Sequence, residues 1–229
     1  MLELRNRARG VFVKLPSTEI IDMIAAAGYD FAIVDLEHSQ LSEADARALV
    51  RHGRALGLPA LVRIPELDRG AVNRLLEAGA AGIQLSTVRS AAQVRDARAM
   101  TRYAPDGSRS ISLAHPQAGY GAVALAGYLQ EQRERTPLVV AQIETAQTDD
   151  PLDAIMAAAP DVAFAGTTDL AVDMGLDDAR VRARVDEIAS AALAAGVPFG
   201  AFALDDERVT YDVSASDLSL LRSALVNAA

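Results

Sequence analysis

The chain has 229 residues, 51% of them hydrophobic, 23% charged and only 4% aromatic, with 15 Gly and 9 Pro, which describes a globular core and excludes collagenous, low-complexity and disordered classes. Its 22 basic residues against 31 acidic ones leave a net charge of −9, so no basic field attracts nucleic acid, and the absence of cysteine removes disulfides, thiolate metal sites and cysteine nucleophiles. No run reaches the roughly 18 apolar residues of a membrane span and the N-terminus lacks a leader's apolar stretch, so the expectation is a soluble, cytoplasmic protein with no membrane partner.

Short β-rich runs alternate with stretches of helical period, the pattern of a parallel sheet covered by helices. Residues 11–15 form the first run, and Ser17 opens a helix with Ile20, Ile21 and Ile24 on one face. Residues 30–37 are a second strand, followed by a helix from near Ser42; residues 59–64 are a third, followed by a helix that buries Val72, Leu75 and Leu76. Residues 81–86 make the fourth, with a helix over about 90–101. The rhythm then breaks in a loop over residues 105–121, rich in Pro, Gly, Asp and Ser, and long loops inside compact domains are usually functional.

Rhythm returns with a fifth strand over 137–144, a helix bearing Leu152, Ile155 and Met156, and a sixth strand over 161–166. A helical region with Val181, Val185 and Ile188 on one face leads to strands over 198–203 and 209–214 and a last helix with Leu218, Leu221 and Leu225. Eight βα units in this length predict one (β/α)8 TIM barrel over residues 1–229, with a doubly wound open sheet as the alternative. Only residues 204–208 separate the last two strands, so the seventh βα unit is shortened.

In such a barrel the chemistry sits at the C-terminal strand ends. Those ends carry Lys14, then Asp35, Glu37 and His38, then Arg63, then Gln142 and Glu144, and finally Asp169. Glu144 and Asp169 end adjacent strands and offer two hard oxygen ligands, which favours Mg²⁺ or Mn²⁺ completed by water and substrate. The plainer readings are an Arg partner for Glu144 and a helix-capping role for Asp169. The amides of Gly166-Thr167-Thr168 at a helix start suit a substrate carboxylate. Arg63 suits a developing enolate oxygen, or else an ordinary ion pair over the mouth. Asp35, three residues before His38, is expected to accept from one ring nitrogen and leave the other as a general base. His52 reads as structural, and His115, in the long loop, stays open. Lys14 is the sole lysine, so a Schiff-base mechanism has no other candidate.

The strings Asp35-Leu36-Glu37-His38-Ser39, Val62-Arg63-Ile64-Pro65, Gln142-Ile143-Glu144-Thr145 and Asp169-Leu170, with Glu77-Ala78-Gly79 and Tyr103-Ala104-Pro105-Asp106-Gly107 between them, resemble the HpcH/HpaI family of pyruvate aldolases from about residue 10 onward. The resemblance implies a class II aldolase, a homo-oligomer (hexamer or trimer) that exchanges its last helix, and small-molecule 2-oxo acid and aldehyde substrates. It implies a divalent ion (Mg²⁺, Mn²⁺ or Co²⁺) on Glu144 and Asp169, Arg63 on the keto oxygen, His38 with Asp35 on protons, Gln142 lining the site, and the substrate carboxylate on Gly166, Thr167 and Thr168. The chain departs from that pattern at Leu85-Ser86-Thr87, where relatives usually carry Pro, at Thr167-Thr168, at Ser110 and at Glu77. The expected reaction is cleavage of a 4-hydroxy-2-oxo acid to pyruvate and an aldehyde. The alternatives are carbon–carbon bond formation or decarboxylation on a pyruvate or oxaloacetate enolate, a CoA-thioester lyase, for which no basic cluster is evident, and a catalytically silent barrel subunit.

Overall fold

The computed structural model describes residue 4 and residues 7–228; the N-terminal stretch read as lacking a leader lies partly outside them. Eight parallel strands close into a barrel in sequence order: β1 (Ala8–Val13), β2 (Phe31–Asp35), β3 (Ala60–Ile64), β4 (Gly82–Leu85), β5 (Leu138–Ile143), β6 (Val162–Ala165), β7 (Phe199–Phe202) and β8 (Val209–Ser216). Strand β1 pairs with both β2 and β8, so the sheet has no free edge and the open-sheet alternative is set aside. The first strand begins at Ala8 rather than at Val11.

The helices are α1 (Thr18–Ala26), α2 (Glu43–Leu56), α3 (Arg69–Ala78), α4 (Ala91–Thr101), α5 (Leu125–Glu134), α6 (Leu152–Ala157), α7 (Thr167–Asp173), α8 (Asp178–Ala194) and α9 (Asp217–Asn227). Side-chain caps start several of them: Ser42 and Asp45 exchange bonds at α2, as do Ser90 and Gln93 at α4 and Ser216 and Ser219 at α9. Ser17 does precede α1, but its hydroxyl bonds the Glu19 carboxylate at 2.5 Å rather than capping the helix. Helix α5 falls between the long loop and the fifth strand, where no helix was expected. It starts without a side-chain cap and fully buries only Tyr128, so it has almost no apolar stripe to read. Residues 203–208 link β7 to β8 without a helix, as expected. Arg208 holds this link by pairing with Asp206 at 2.7 Å and with Asp186 on α8 at 2.6 Å.

The buried residues divide by strand parity. Val11, Val13, Ala32, Val34, Val62, Ile64, Ala141 and Ile143 face the helices, whereas Phe12, Phe31, Ile33, Leu61, Val140, Phe164, Tyr211 and Val213 fill the barrel. The interior is an aromatic plug: Phe31 stacks on Tyr211 with centroids 4.4 Å apart, and Phe164 meets Tyr211 edge-on at 5.9 Å. Glycines make the room. A Cβ at Gly10 would overlap the Phe31 ring, and one at Gly200 would lie 2.8 Å from the Tyr211 carbonyl oxygen and 3.0 Å from the Phe164 ring.

Helix α9 contrasts with this packing, because Leu218, Leu220, Leu221, Leu225 and Val226 are each 42–64% exposed. No helix among the described residues is long and apolar enough to cross a membrane. The plug generates a stability prediction. Phe31→Ala empties the centre of the barrel and should cost about 3–5 kcal/mol, read as a lowered urea midpoint with the same slope; a loss under about 1 kcal/mol would show that the plug is loosely packed.

Candidate active site

The parity that sends Phe31 and Ile33 inward also sends Asp35 inward, and the same rule applies to Arg63 after Leu61 and to Gln142 and Glu144 after Val140. Each of these columns turns from apolar to polar at the C-terminal end of its strand, so the plug carries a polar cap at one mouth. Asp35 and Arg63 are direct neighbours in the β2–β3 register. The guanidinium grips the carboxylate with two bonds, Nε to Oδ1 at 2.9 Å and Nη2 to Oδ2 at 2.6 Å, with both residues buried. Lys14 Nζ lies 3.1 Å from Asp35 Oδ2, and the amides of Glu37 and His38 both donate to Oδ1 at 3.1 Å.

These contacts correct the expected Asp35–His38 arrangement. Asp35 accepts from the His38 backbone amide and not from its ring, because the carboxylate is already filled by Arg63, Lys14 and its own following turn. The His38 ring instead stands more than half exposed at the mouth, its Nε2 3.8 Å from Glu37 Oε2. Glu37 in turn lies 3.3 Å from Arg63 Nη1 and accepts from the Ser86 hydroxyl at 2.5 Å. Ser86 therefore serves to hold Glu37 against the guanidinium. Lys14 is engaged in an ion pair and is not presented as a free amine for a Schiff base.

On the opposite side, Glu144 is 4% exposed and both its oxygens are occupied. The Thr87 amide and hydroxyl donate to Oε1 at 2.8 and 3.0 Å, and the Gln142 amide donates to Oε2. Thr87 makes both bonds from a left-handed backbone conformation with φ of 49°, a local strain held by the carboxylate it serves. Gln142 accepts from Gln84 at 2.5 Å, and Tyr211 donates to Gln84 at 3.3 Å, so a line of hydrogen bonds runs from the barrel's aromatic plug to the carboxylate. Gln84 and Thr87 were missed as site residues, although the inward parity of the fourth strand was a signal for Gln84. Burial raises the Glu144 carboxyl above its ordinary range; Gln142 and Thr87 oppose the shift and the nearby Asp169 charge adds to it.

Gly166 is tied to this carboxylate sterically, since a Cβ there would lie 2.7 Å from Glu144 Cβ and closer still to Oε2. It also caps α7, whose first turn carries Asp169. The first amides of that turn have no acceptor within the helix, which leaves them available at the mouth. The Thr167 hydroxyl is used elsewhere, donating to the Phe202 carbonyl at 3.1 Å, and Thr168 and Asp169 are exposed. Among the described residues no three His, Cys, Asp or Glu side chains form a metal-holding group, so a cation on Glu144 and Asp169 would take the rest of its shell from water and substrate. The donor set fits: two hard oxygens, one of them buried among neutral donors with no cationic partner among the described residues.

His52 pairs with Asp22 at 2.8 Å on the surface, in keeping with a structural role, and His115 is buried against the Tyr128 ring, away from the cluster at the mouth.

The Asp35–Arg63 pair has a measurable titration. Burial pushes the Asp35 carboxyl up, but the Arg63 bonds and charge, the His38 amide and Lys14 outweigh it and bring the value from 3.8 down to about 2. The pair's contribution is thus complete above about pH 4 and is lost as pH falls through about 2. Asp35→Asn leaves the buried Arg63 with Glu37 as its only carboxylate partner among the described residues and should cost about 3 kcal/mol near neutral pH, with the gap to the unmodified protein narrowing between about pH 4 and pH 2. Urea midpoints across that range check this, and a gap that stays constant would contradict it.

A model of the HpcH/HpaI aldolase/citrate lyase family matches residues 8–222. The chain is 35% identical over 208 residues to a hydroxypyruvate/pyruvate aldolase of Paraburkholderia phytofirmans, covering 86% of this chain and 78% of the relative. It is 31% identical over 223 residues to a 5-keto-4-deoxy-D-glucarate aldolase of Shigella boydii, covering 91% and 84%. The crystal structure of an HpcH/HpaI aldolase from Desulfitobacterium hafniense superimposes with a TM-score of 0.88 at 27% identity, over 97% of this chain and 91% of that one. A closed barrel with a polar mouth, matched in sequence and shape along nearly its whole length, places the chain in the HpcH/HpaI aldolase/citrate lyase family, as an aldolase of the carbon–carbon lyase class.

Proposed function

We propose that the chain catalyses reversible, divalent-metal-dependent cleavage of a 4-hydroxy-2-oxo acid to pyruvate and an aldehyde. The observation that carries this reading is the buried Glu144 carboxylate just past β5, close enough to Asp169 in the first turn of α7 to feel its charge, with a rigidly held Arg63 at the same barrel mouth. The aldolase names of the relatives agree with the reaction type. Glu144 and Asp169 would hold the divalent cation, which would supply Lewis-acid polarisation of the 2-oxo group.

The residues of the chain do the rest. The first amides of α7, at Thr167 and Thr168, receive the substrate carboxylate. Arg63 keeps a fixed donor toward the oxygen that becomes negative when the C3–C4 bond breaks and its electron pair passes into the enolate. His38 takes the proton of the C4 hydroxyl as that carbon becomes an aldehyde carbonyl, and Glu37, at 3.8 Å, is the carboxylate beside its ring. In the synthetic direction His38, directly or through a water, takes a proton from C3 of pyruvate, the resulting enolate forms the C3–C4 bond by attacking the aldehyde carbon, and His38 returns that proton to the C4 oxygen; in cleavage the same proton passes from the C4 hydroxyl through His38 to C3 of the enolate.

Glu144→Ala should lose Mn²⁺ binding by calorimetry and lose exchange of the pyruvate methyl protons with deuterium, while its thermal melt remains cooperative. Full exchange by the unmodified protein in excess EDTA would refute metal dependence.

We also propose that the protein works as a homo-oligomer in which α9 packs against a neighbouring copy, because five large apolar side chains on that helix lie open on the single chain. Leu221→Glu combined with Leu225→Glu should shift the mass measured by light scattering to that of one chain. An unchanged oligomer would place the interface elsewhere, and a monomeric unmodified protein would end the proposal.

A further inference from the structure

We propose that Lys14 receives a carboxylate on the acceptor half of the substrate, so that the chain selects carbonyl acceptors bearing an acid group; this rests on the aldolase reading above. Lys14 is the sole lysine of the chain, and it occupies the inward column of β1 directly after Phe12. Its backbone is fixed from a distant element: the Asp217 carboxylate at the start of α9 accepts from the amides of Lys14 and Leu15 at 2.8 and 2.9 Å. The side chain is therefore delivered to a set place, and its ammonium spans from β1 to the turn after β2. There it lies 3.1 Å from Asp35 Oδ2 and donates to the His38 carbonyl oxygen at 3.0 Å.

Those two partners engage two of three N–H groups. The side chain is 21% exposed, and no partner among the described residues takes the remaining donor, which leaves it for a group entering from the mouth. Position around the barrel decides what that donor meets. The 2-oxo acid end belongs with Glu144 and Asp169 at β5 and β6, and Arg63 on β3 serves the enolate oxygen. The acceptor carbon lies where His38 handles its hydroxyl proton, after β2. Lys14, bonded to the backbone of His38, is thus the next charged group beyond that carbon, on the side where the acceptor's own substituent must lie. The floor beneath this stretch is apolar: the Phe12 ring sits 4.5 Å under the Arg63 guanidinium and 6.0 Å from Phe202. A carboxylate above such a floor needs a charged donor, and Lys14 is placed to supply one. Asp35 does not depend on Lys14 for its place, since Arg63 and two backbone amides hold it independently.

The test uses Lys14→Met, close in length and uncharged, and Lys14→Arg. Each enzyme is given pyruvate with glyoxylate or succinic semialdehyde as anionic acceptors and with glycolaldehyde or butanal as their neutral counterparts. The expected result is that Lys14→Met loses about ten- to a hundredfold in kcat/KM for at least one anionic acceptor relative to its neutral counterpart, mainly through KM, and that Lys14→Arg restores part of the preference. In the unmodified protein, with its lysine labelled at Nζ, the same anionic acceptor should move the single lysine resonance while the neutral one leaves it in place. Equal losses for both members of each pair, or none, would overturn the proposal and leave Lys14 as a second counter-ion of Asp35. Failure of the unmodified protein to exchange pyruvate methyl protons with Mg²⁺ or Mn²⁺ present would instead remove the aldolase reading itself.

Discussion

The mouth of this barrel is organised by one buried ion pair. Asp35 and Arg63 face each other across the β2–β3 register, and neither is free to move without leaving the other charged and dry. Buried pairs of this kind rarely add much net stability compared with apolar residues of the same size, so what this one contributes is geometry. With Nε and Nη2 fixed on Asp35, the remaining guanidinium nitrogen is aimed toward Glu37. A donor that does not have to reorganise when charge develops near it is the form of electrostatic stabilisation that enzymes use most.

That pair also accounts for the arrangement of the turn after β2. A carboxylate that accepts from residues two and three positions ahead of it in the chain bends the backbone there, and the bend turns the His38 ring out to the mouth. An aspartate three residues before a histidine looks in sequence like a dyad. In space it is an anchor, and the carboxylate near the ring is Glu37.

The sequence revealed the barrel because its strands are short, apolar and regularly spaced, and because inward and outward residues alternate. The same alternation located most of the polar cap: Asp35, Arg63, Gln142 and Glu144 follow inward apolar residues at the ends of their strands. What it did not reveal was the partner each side chain takes, since a carboxylate with several donors in reach is settled by three-dimensional competition. Gln84 was hidden because one polar residue inside a short apolar strand carries little signal on its own, and Thr87 because its role depends on a left-handed backbone that no pattern announces. Helix α5 was hidden for the opposite reason: it buries one tyrosine and presents a polar surface, so its period is faint.

Charge divides the mouth into two halves of different character. On the β1–β3 side, Lys14 and Arg63 balance Asp35 and Glu37, so that half is near neutrality and acts through directed donors rather than through net field. On the β5–β6 side, Glu144 takes only neutral donors among the described residues, burial works against its charge, and the exposed Asp169 carboxylate nearby adds a second negative charge. A buried carboxylate with no cationic partner is costly unless something of opposite charge joins it, and a divalent cation there would offset the charge of Glu144 and of the neighbouring Asp169 at once. The steric fit of Gly166 against Glu144 points the same way: a methyl group at position 166 would push the carboxylate out of the place where its four hydrogen-bonding neighbours hold it, directly or in line. Thr167 fastens the start of α7 to β7 through its hydroxyl, and so keeps Asp169 and the open amides at a fixed height over the mouth. The hydroxyls of Ser86, Thr87 and Thr167 thus each add a hydrogen bond that stiffens the same polar cap.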